Sequence, residues 1–147
     1  MMTPETAQPL PKSGASDLLS RRFVDHDKDA DRVRIEFEAT RGMLNPAGFV
    51  QGGILAAMLD DTMGAAIWLK TGGAFYPITI DMTVSFLVAA RPGRLTGEGG
   101  VVQLGKTIAF VEAQLREKGG TLVARATSSV RLVKPILHSV PVVEANP

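Results

Sequence analysis

Between Gly42 and Leu69 the chain carries only two charged side chains, Asp60 and Asp61, side by side in the apolar run ILAAMLDDTMGAAIWLK. A carboxylate placed inside an apolar helix costs several kcal/mol unless it is paired, hydrogen-bonded or kept for a purpose. No Lys, Arg or His lies within helical reach of either acid. One of the two is therefore a candidate for proton transfer or nucleophilic attack. The competing reading is a thin solvent-facing stripe that carries both acids. Just upstream, Gly52 and Gly53 stand at the start of the expected helix. Backbone N–H groups there have no intrahelical acceptor, lie at the positive end of the helix dipole and have no Cβ to obstruct a ligand. Such groups polarise a carbonyl and hold an oxyanion, although a Gly-Gly pair also serves simply to turn a chain.

The two halves impose a geometric constraint. Eight residues at a rise of 1.5 Å separate Gly52 from Asp60 by about 12 Å along one helix. A base and an oxyanion hole must both lie about 3 Å from one reacting centre. They cannot serve the same carbonyl from the same chain. A two-fold dimer, with the helix N-terminus of one copy beside the middle of its partner's helix, would bring them together.

The rest of the composition leaves few other chemistries. The 147 residues suit a single domain, and 16 Lys+Arg against 15 Asp+Glu give no overall charge that would favour nucleic acid or an anionic membrane surface. With no cysteine and two histidines, His26 and His138, disulfides, thiolate metal sites and His-based catalysis have almost no material. No metal is expected. The leader MMTPETAQPLPKSG has three prolines and no apolar stretch of signal-peptide type, so residues 1–14 are expected to be disordered. A cytoplasmic domain over residues 15–134 and a peripheral tail over residues 135–147 follow. The segment DHDKDAD (Asp25–Asp31), with Glu36, approaches a calcium loop, but Ala30 occupies the position that needs Gly. A solvated acidic turn is the better reading.

These residues need a scaffold to hold them. Ser16 is placed to cap a short helix from Asp17 to about Phe23. RVRIEFEAT alternates, with Val33, Ile35, Phe37 and Ala39 on one face, and predicts a half-buried strand. A Gly/Pro loop follows. The apolar run then predicts one long buried helix from Gly52–Gly53 to about Lys70; Asp60 and Asp61 interrupt it too early for a membrane span. Strands are expected over residues 78–88, 94–104, 106–117 and 121–133, with turns at Arg91-Pro92-Gly93, at Gly105 and at Lys118-Gly119-Gly120. In the first of these Ile78, Ile80, Met82, Val84 and Phe86 oppose Thr79, Asp81, Thr83 and Ser85. Gly97, Gly99 and Gly100 suggest a bulge or strong bend. The fold class is α+β, a curved antiparallel sheet wrapped around one central helix.

The segments NPAGFVQGG (Asn45–Gly53) and ILAAMLDD (Ile54–Asp61) resemble the signature of PaaI-like hotdog-fold acyl-CoA thioesterases of the phenylacetate-pathway type. The similarity continues through PITIDMTVSFL, ARPG, GKTIAFVEAQL and LVARATSSVRLV, over roughly residues 30 to 133. The resemblance implies a hotdog fold, active sites at an interface between two protomers, and hydrolysis of an acyl-CoA to free acid and CoA. It aligns Asp60 with the carboxylate that attacks the thioester or activates water. It aligns Gly52 with the backbone N–H that polarises the carbonyl, Asn45 with a polar site residue, and Thr79 with a hydroxyl that helps hold the water. Gln51 stands where the family usually has His, which argues against acid–base work at that position and against hydratase chemistry. Gln51, Gly53 and Asp81 join the substrate-binding candidates.

Coenzyme A carries phosphates, and the cations are unevenly spread. Residues 1–90 hold 8 basic and 11 acidic side chains, whereas residues 91–134 hold 8 and 3. Arg91, Lys106 and Arg131 fall where the family contacts CoA, and Gly105 would let the backbone approach closely; an ordinary solvated sheet face is the competing reading. No cofactor beyond CoA as part of the substrate is implied, and the partner expected is a second copy of the chain, in a homodimer or homotetramer. A non-catalytic acyl-CoA-binding or regulatory protein is the alternative, with Gln51 as its mark. An isolated interaction domain would leave the Asp pair unexplained. Phe49, Met58, Met63 and Trp68 are the large apolar candidates for an acyl pocket, against the competing role of core.

Overall fold

The computed structural model describes residues 10–135. Residues 1–9 of the expected leader, and the expected tail beyond Pro135 with His138, lie outside the described residues. The elements run α1 (Gly14–Leu18), β1 (Arg22–Asp27), β2 (Arg32–Ala39), α2 (Gly52–Lys70), β3 (Tyr76–Phe86), β4 (Gly93–Leu104), β5 (Ile108–Glu117) and β6 (Leu122–Val133). The six strands form one antiparallel sheet in the order β1-β2-β4-β5-β6-β3, packed against α2. This is the hotdog fold that the sequence implied.

The strict alternation of β2 buries Val33, Ile35, Phe37 and Ala39 and leaves Arg34 and Glu38 exposed. Helix α2 is long and apolar enough to cross a membrane by length and composition alone. Here it is the core helix: Leu55, Met58, Leu59, Thr62, Met63, Ala65, Ala66 and Ile67 are buried. The glycines of β4 explain how closely it packs. A Cβ on Gly97 would collide with the Thr62 hydroxyl, and one on Gly99 would lie 2.9 Å from the Glu112 carbonyl and 3.1 Å from Thr62 Cγ2. These glycines admit the helix, and the expected bulge does not fall on them. The register of β4 against β5 instead shifts further on, between Val101 and Gln103.

The N-terminal region departs from expectation. The cap is Ser13, whose side chain accepts the Ser16 N–H while Ser16 accepts the Ser13 N–H, so the helix starts three residues early and ends at Leu18. Arg22 and Phe23, expected to end it, instead begin the edge strand β1, paired with β2. Its burial is irregular because the register against β2 shifts between Phe23 and Asp25, leaving Val24 unpaired, so no unbroken period of two shows in RFVDHD. Residues 10–14, expected to belong to the leader, pack on the domain, with Leu10 buried. The acidic segment closes the β1–β2 hairpin: Asp27 Oδ1 accepts N–H groups of Asp29 and Ala30, and Asp31 pairs with Lys70 at 2.9 Å. Among the described residues no group of three or more His, Cys, Asp or Glu side chains is placed to hold a metal ion.

Candidate active site

Strand β3 runs along α2 in the opposite direction, and three contacts fix the alignment. Phe86 lies over Gly52, where a Cβ would sit 3.4 Å from its ring; Thr79 meets Asp60; and Pro77 packs against Gly64. The Thr79 hydroxyl donates to Asp60 Oδ1 at 2.7 Å. Strict alternation would have put Thr79 on the outer face with Asp81. The register against β6 shifts between Thr79 and Asp81, leaving Ile80 without a partner, and this irregularity turns Thr79 to the helix side. Thr79 opposite buried Val130 and Met82 opposite buried Ser128 then share the inner face, while Ile78 and Ile80 are exposed.

Asp61 has a different role. Its Oδ1 lies 3.3 Å from the Arg21 guanidinium, and Arg21 also donates to the Pro11 carbonyl at 2.7 Å. Asp61 Oδ2 is buried and has no hydrogen-bond partner among the described residues. Burial pushes the Asp61 carboxyl above its ordinary value of 3.8, with Arg21 opposing and Asp60 adding to the rise. No cation lies within helical reach of either acid, as expected, but the fold supplies one to Asp61 from outside the helix. Arg21 was missed because 40 positions separate it from Asp61, a distance that leaves no helix or strand spacing to read.

At the start of α2, Gln51 accepts the Ile54 and Leu55 N–H groups on its carbonyl, and its side chain makes no capping bond. The Gly52 and Gly53 N–H groups donate to no acceptor among the described residues. Asn45 lies in the preceding loop with its Oδ1 already accepting the N–H groups of Ala47 and Phe49. It shapes the approach to the helix, and its amide nitrogen has no hydrogen-bond partner among the described residues. Arg91 belongs to this end too: its neighbour Ala90 accepts the Val50 N–H, and the Arg91 N–H bonds Glu117.

The remaining candidates fall elsewhere. Asp81 faces outward, away from α2, and accepts both the hydroxyl and the N–H of Ser129, which hold its carboxyl below the ordinary value. Arg131 is exposed on the same outer face, opposite Ile78. Lys106 lies in the β4–β5 turn, the full length of β4 from Arg91, or about 40 Å for an extended strand. Arg91 cannot share one phosphate with Lys106 and Arg131 within a chain. Gly105 owes its lack of a side chain to that turn: a Cβ would lie 2.5 Å from the Ile108 carbonyl, to which the Gly105 N–H donates.

A cavity of about 280 Å³ opens beside the Asp60–Thr79 pair. Met63, Trp68, Tyr76 and Pro77 line it, and residues from Leu10 to Arg21 close it. Of the four large apolar candidates, Trp68 and Met63 line this cavity, Met58 is fully buried core, and Phe49 is partly exposed in the loop.

The geometry and the fold together define a hotdog domain with a helix-borne carboxylate beside a cavity lined by apolar side chains and by Lys12, Arg21 and Asp61. The sequence profile of the thioesterase superfamily matches residues 47–124, more than half of the chain. A Saccharolobus solfataricus protein whose name places it among the esterases is 30% identical over 98 residues, covering 67% of this chain and 69% of its own length. A phenylacetic-acid-degradation-related protein of Ralstonia eutropha JMP134, described as a thioesterase, superposes with a TM-score of 0.77 at 30% identity, covering 83% of this chain and 92% of that one. A Streptococcus mutans UA159 protein solved with acetyl-CoA shares the fold at a TM-score of 0.69 and 23% identity, covering 78% of this chain and 89% of its own. The chain belongs to the thioesterase superfamily and is a thioester hydrolase.

Proposed function

We propose that the protein is an acyl-CoA thioesterase in which Asp60 is the general base or nucleophile and Gly52 of the partner subunit holds the oxyanion. The observation that carries this reading is the Asp60 carboxylate, oriented by the Thr79 hydroxyl at a cavity with one wall of Met63, Trp68, Tyr76 and Pro77. In the general-base form, water gives a proton to Asp60 and its oxygen bonds the thioester carbon. The C–S bond then breaks, and the departing thiolate takes the proton back. Asn45 and Gln51 flank the oxyanion donors, and Gly53 offers a second N–H. Arg91, Lys106 and Arg131 are the cations available to CoA phosphates, and their separation fits a ligand that spans two chains. The acetyl-CoA bound by the Streptococcus mutans protein supports CoA as the carrier.

The dimer in this reading forms through β3. It is the outer strand of the sheet, 11 residues long, and Tyr76, Ile78, Ile80 and Phe86 on it are exposed. Natural sheets rarely leave such an edge unpaired. Pairing two β3 edges would set two antiparallel helices side by side with Gly52 of each near Asp60 of the other. A homotetramer of two such dimers is compatible with this. The reading needs no metal or redox cofactor, no nucleic acid and no membrane, and it places one domain, residues 15–134 together with the packed segment 10–14, in the cytoplasm.

The test is thiol release from a panel of acyl-CoAs by the wild type and by Asp60→Asn. Release by the wild type and its loss in the variant is the expected outcome; equal rates would remove Asp60 from the mechanism. Gln51 in the place of the usual His keeps the acyl-CoA-binding, non-hydrolytic alternative distinct. It predicts binding of the same compounds with no thiol released.

A further inference from the structure

The wall that closes the cavity is built from residues far from the catalytic helix in sequence. Leu10, Pro11, Lys12, Ser13, Ala15 and Leu19 line it, with Leu10 and Leu19 buried. Residues 10–12 make one hydrogen bond among the described residues, from Arg21 to the Pro11 carbonyl. The same guanidinium pairs with Asp61, next to Asp60 on α2. Arg21 is thus the polar tie between the closing segment and the helix that carries the reacting carboxylate. A planar guanidinium suits this task, because its fixed fork can serve a carboxylate and a carbonyl at once.

We infer that residues 10–21, latched by Arg21, form the end wall of the acyl pocket and restrict the enzyme to compact acyl groups. The inference rests on the thioesterase reading above, since a thioester carbon within reach of Asp60 directs its acyl substituent into this cavity. A cavity of 150 Å³ with apolar walls holds one benzene ring. The 280 Å³ here takes roughly one substituted ring or a chain of about ten carbons. Trp68 and Tyr76, packed edge to face at 6.5 Å, give the far wall two aromatic surfaces suited to a ring. Arg21 touches no reacting atom; it is a positioning residue that sets specificity through the segment it holds.

The experiment compares kcat/KM for benzoyl-, hexanoyl-, decanoyl- and hexadecanoyl-CoA in the wild type, in Leu10→Ala and in the double variant R21M/D61N. Leu10→Ala enlarges the pocket without touching the ion pair. The double variant removes both charges together, so no buried charge is stranded. The wild type should favour the ring and the shorter chains, and both variants should raise the hexadecanoyl to hexanoyl ratio by about tenfold or more. A fall of equal size for every acyl group in both variants would make the segment merely structural and overturn the inference. So would an unchanged acyl profile accompanied by a changed preference between CoA and N-acetylcysteamine thioesters, because the cavity would then hold the carrier. Calorimetric binding of non-hydrolysable thioether analogues of the same series separates the two readings. Chain-length selection in binding that the variants relax, without thiol release by the wild type, would sink the thioesterase reading and leave the wall standing. Hydrolysis with no selection by length in any form would do the reverse.

Discussion

The two ends of one β3–α2 contact have been given opposite chemistry. At the start of α2, glycine removes side chains so that two backbone N–H groups stay open beside Phe86. Eight residues on, side chains crowd in: Thr79 on one acid, Arg21 on the other, and a cavity between them and the N-terminal segment. The first region offers positive dipole without a base, and the second a carboxylate without an oxyanion hole. In the proposed reading each chain carries two complementary half-sites that it cannot combine by itself, and two copies related by a two-fold axis would yield two complete sites.

The largest effect expected from breaking this division is at the carboxylate: Asp60→Asn should lower kcat by about 10³-fold or more, measured by thiol release at saturating substrate. Gly52→Pro should cost about 10²-fold or more, since proline is tolerated at a first helical position yet removes the N–H. Mixing these two inactive variants sharpens the comparison. If each site joins Asp60 of one subunit to Gly52 of the other, random reassociation should restore about a quarter of wild-type activity, from the one intact site in each mixed dimer. No recovery, with exchange of subunits verified by native mass spectrometry, would place both groups in one chain. Thr79→Val is a milder break. Removing one hydrogen bond to the Asp60 carboxylate should reduce kcat about tenfold and leave the fold intact by thermal unfolding.

The smallest effect concerns Asp61. Its folded-state carboxyl titrates above the unfolded value of 3.8, so its contribution to stability is full below that value and is lost as pH rises through the raised one. Denaturant unfolding across pH should therefore show the wild type losing stability relative to Asp61→Asn as pH climbs from about 4. Part of that loss is offset by Arg21. An unchanged difference across the range would mean that the pair with Arg21 outweighs burial.

Much of this arrangement was readable before the structure. Helix α2 and strand β2 announced themselves because each buries a long, regular set of side chains, and the Asp60–Asp61 pair stood out against its apolar surroundings. Thr79 illustrates what local patterns hide. Its identity was suggested by resemblance, but period-two alternation put it on the wrong face, since one unpaired residue at Ile80 reverses the sides for everything before it. Strand β1 was missed for a related reason: the register shift between Phe23 and Asp25 interrupts the alternation of a strand only six residues long. Arg21 is the extreme case, a partner supplied by tertiary folding alone. Arg91, Lys106 and Arg131 shared a sign and a stretch of sequence, yet strand direction carried Arg91 to the far end of the sheet from the other two.

The pair of glycines under Thr62 acts as a keyway for the whole assembly. Thr62 is two residues from Asp60, and its hydroxyl and methyl fill the space that side chains at Gly97 and Gly99 would take. The helix can neither slide along its axis nor roll without lifting this key out of its slot, so the axial position of Asp60 opposite Thr79 is indexed from the opposite side of the helix. Gly97→Ala, remote from any substrate, would push α2 outward and move the carboxylate with it. A displacement of about 1 Å at such a site is enough to cost 10²-fold in rate.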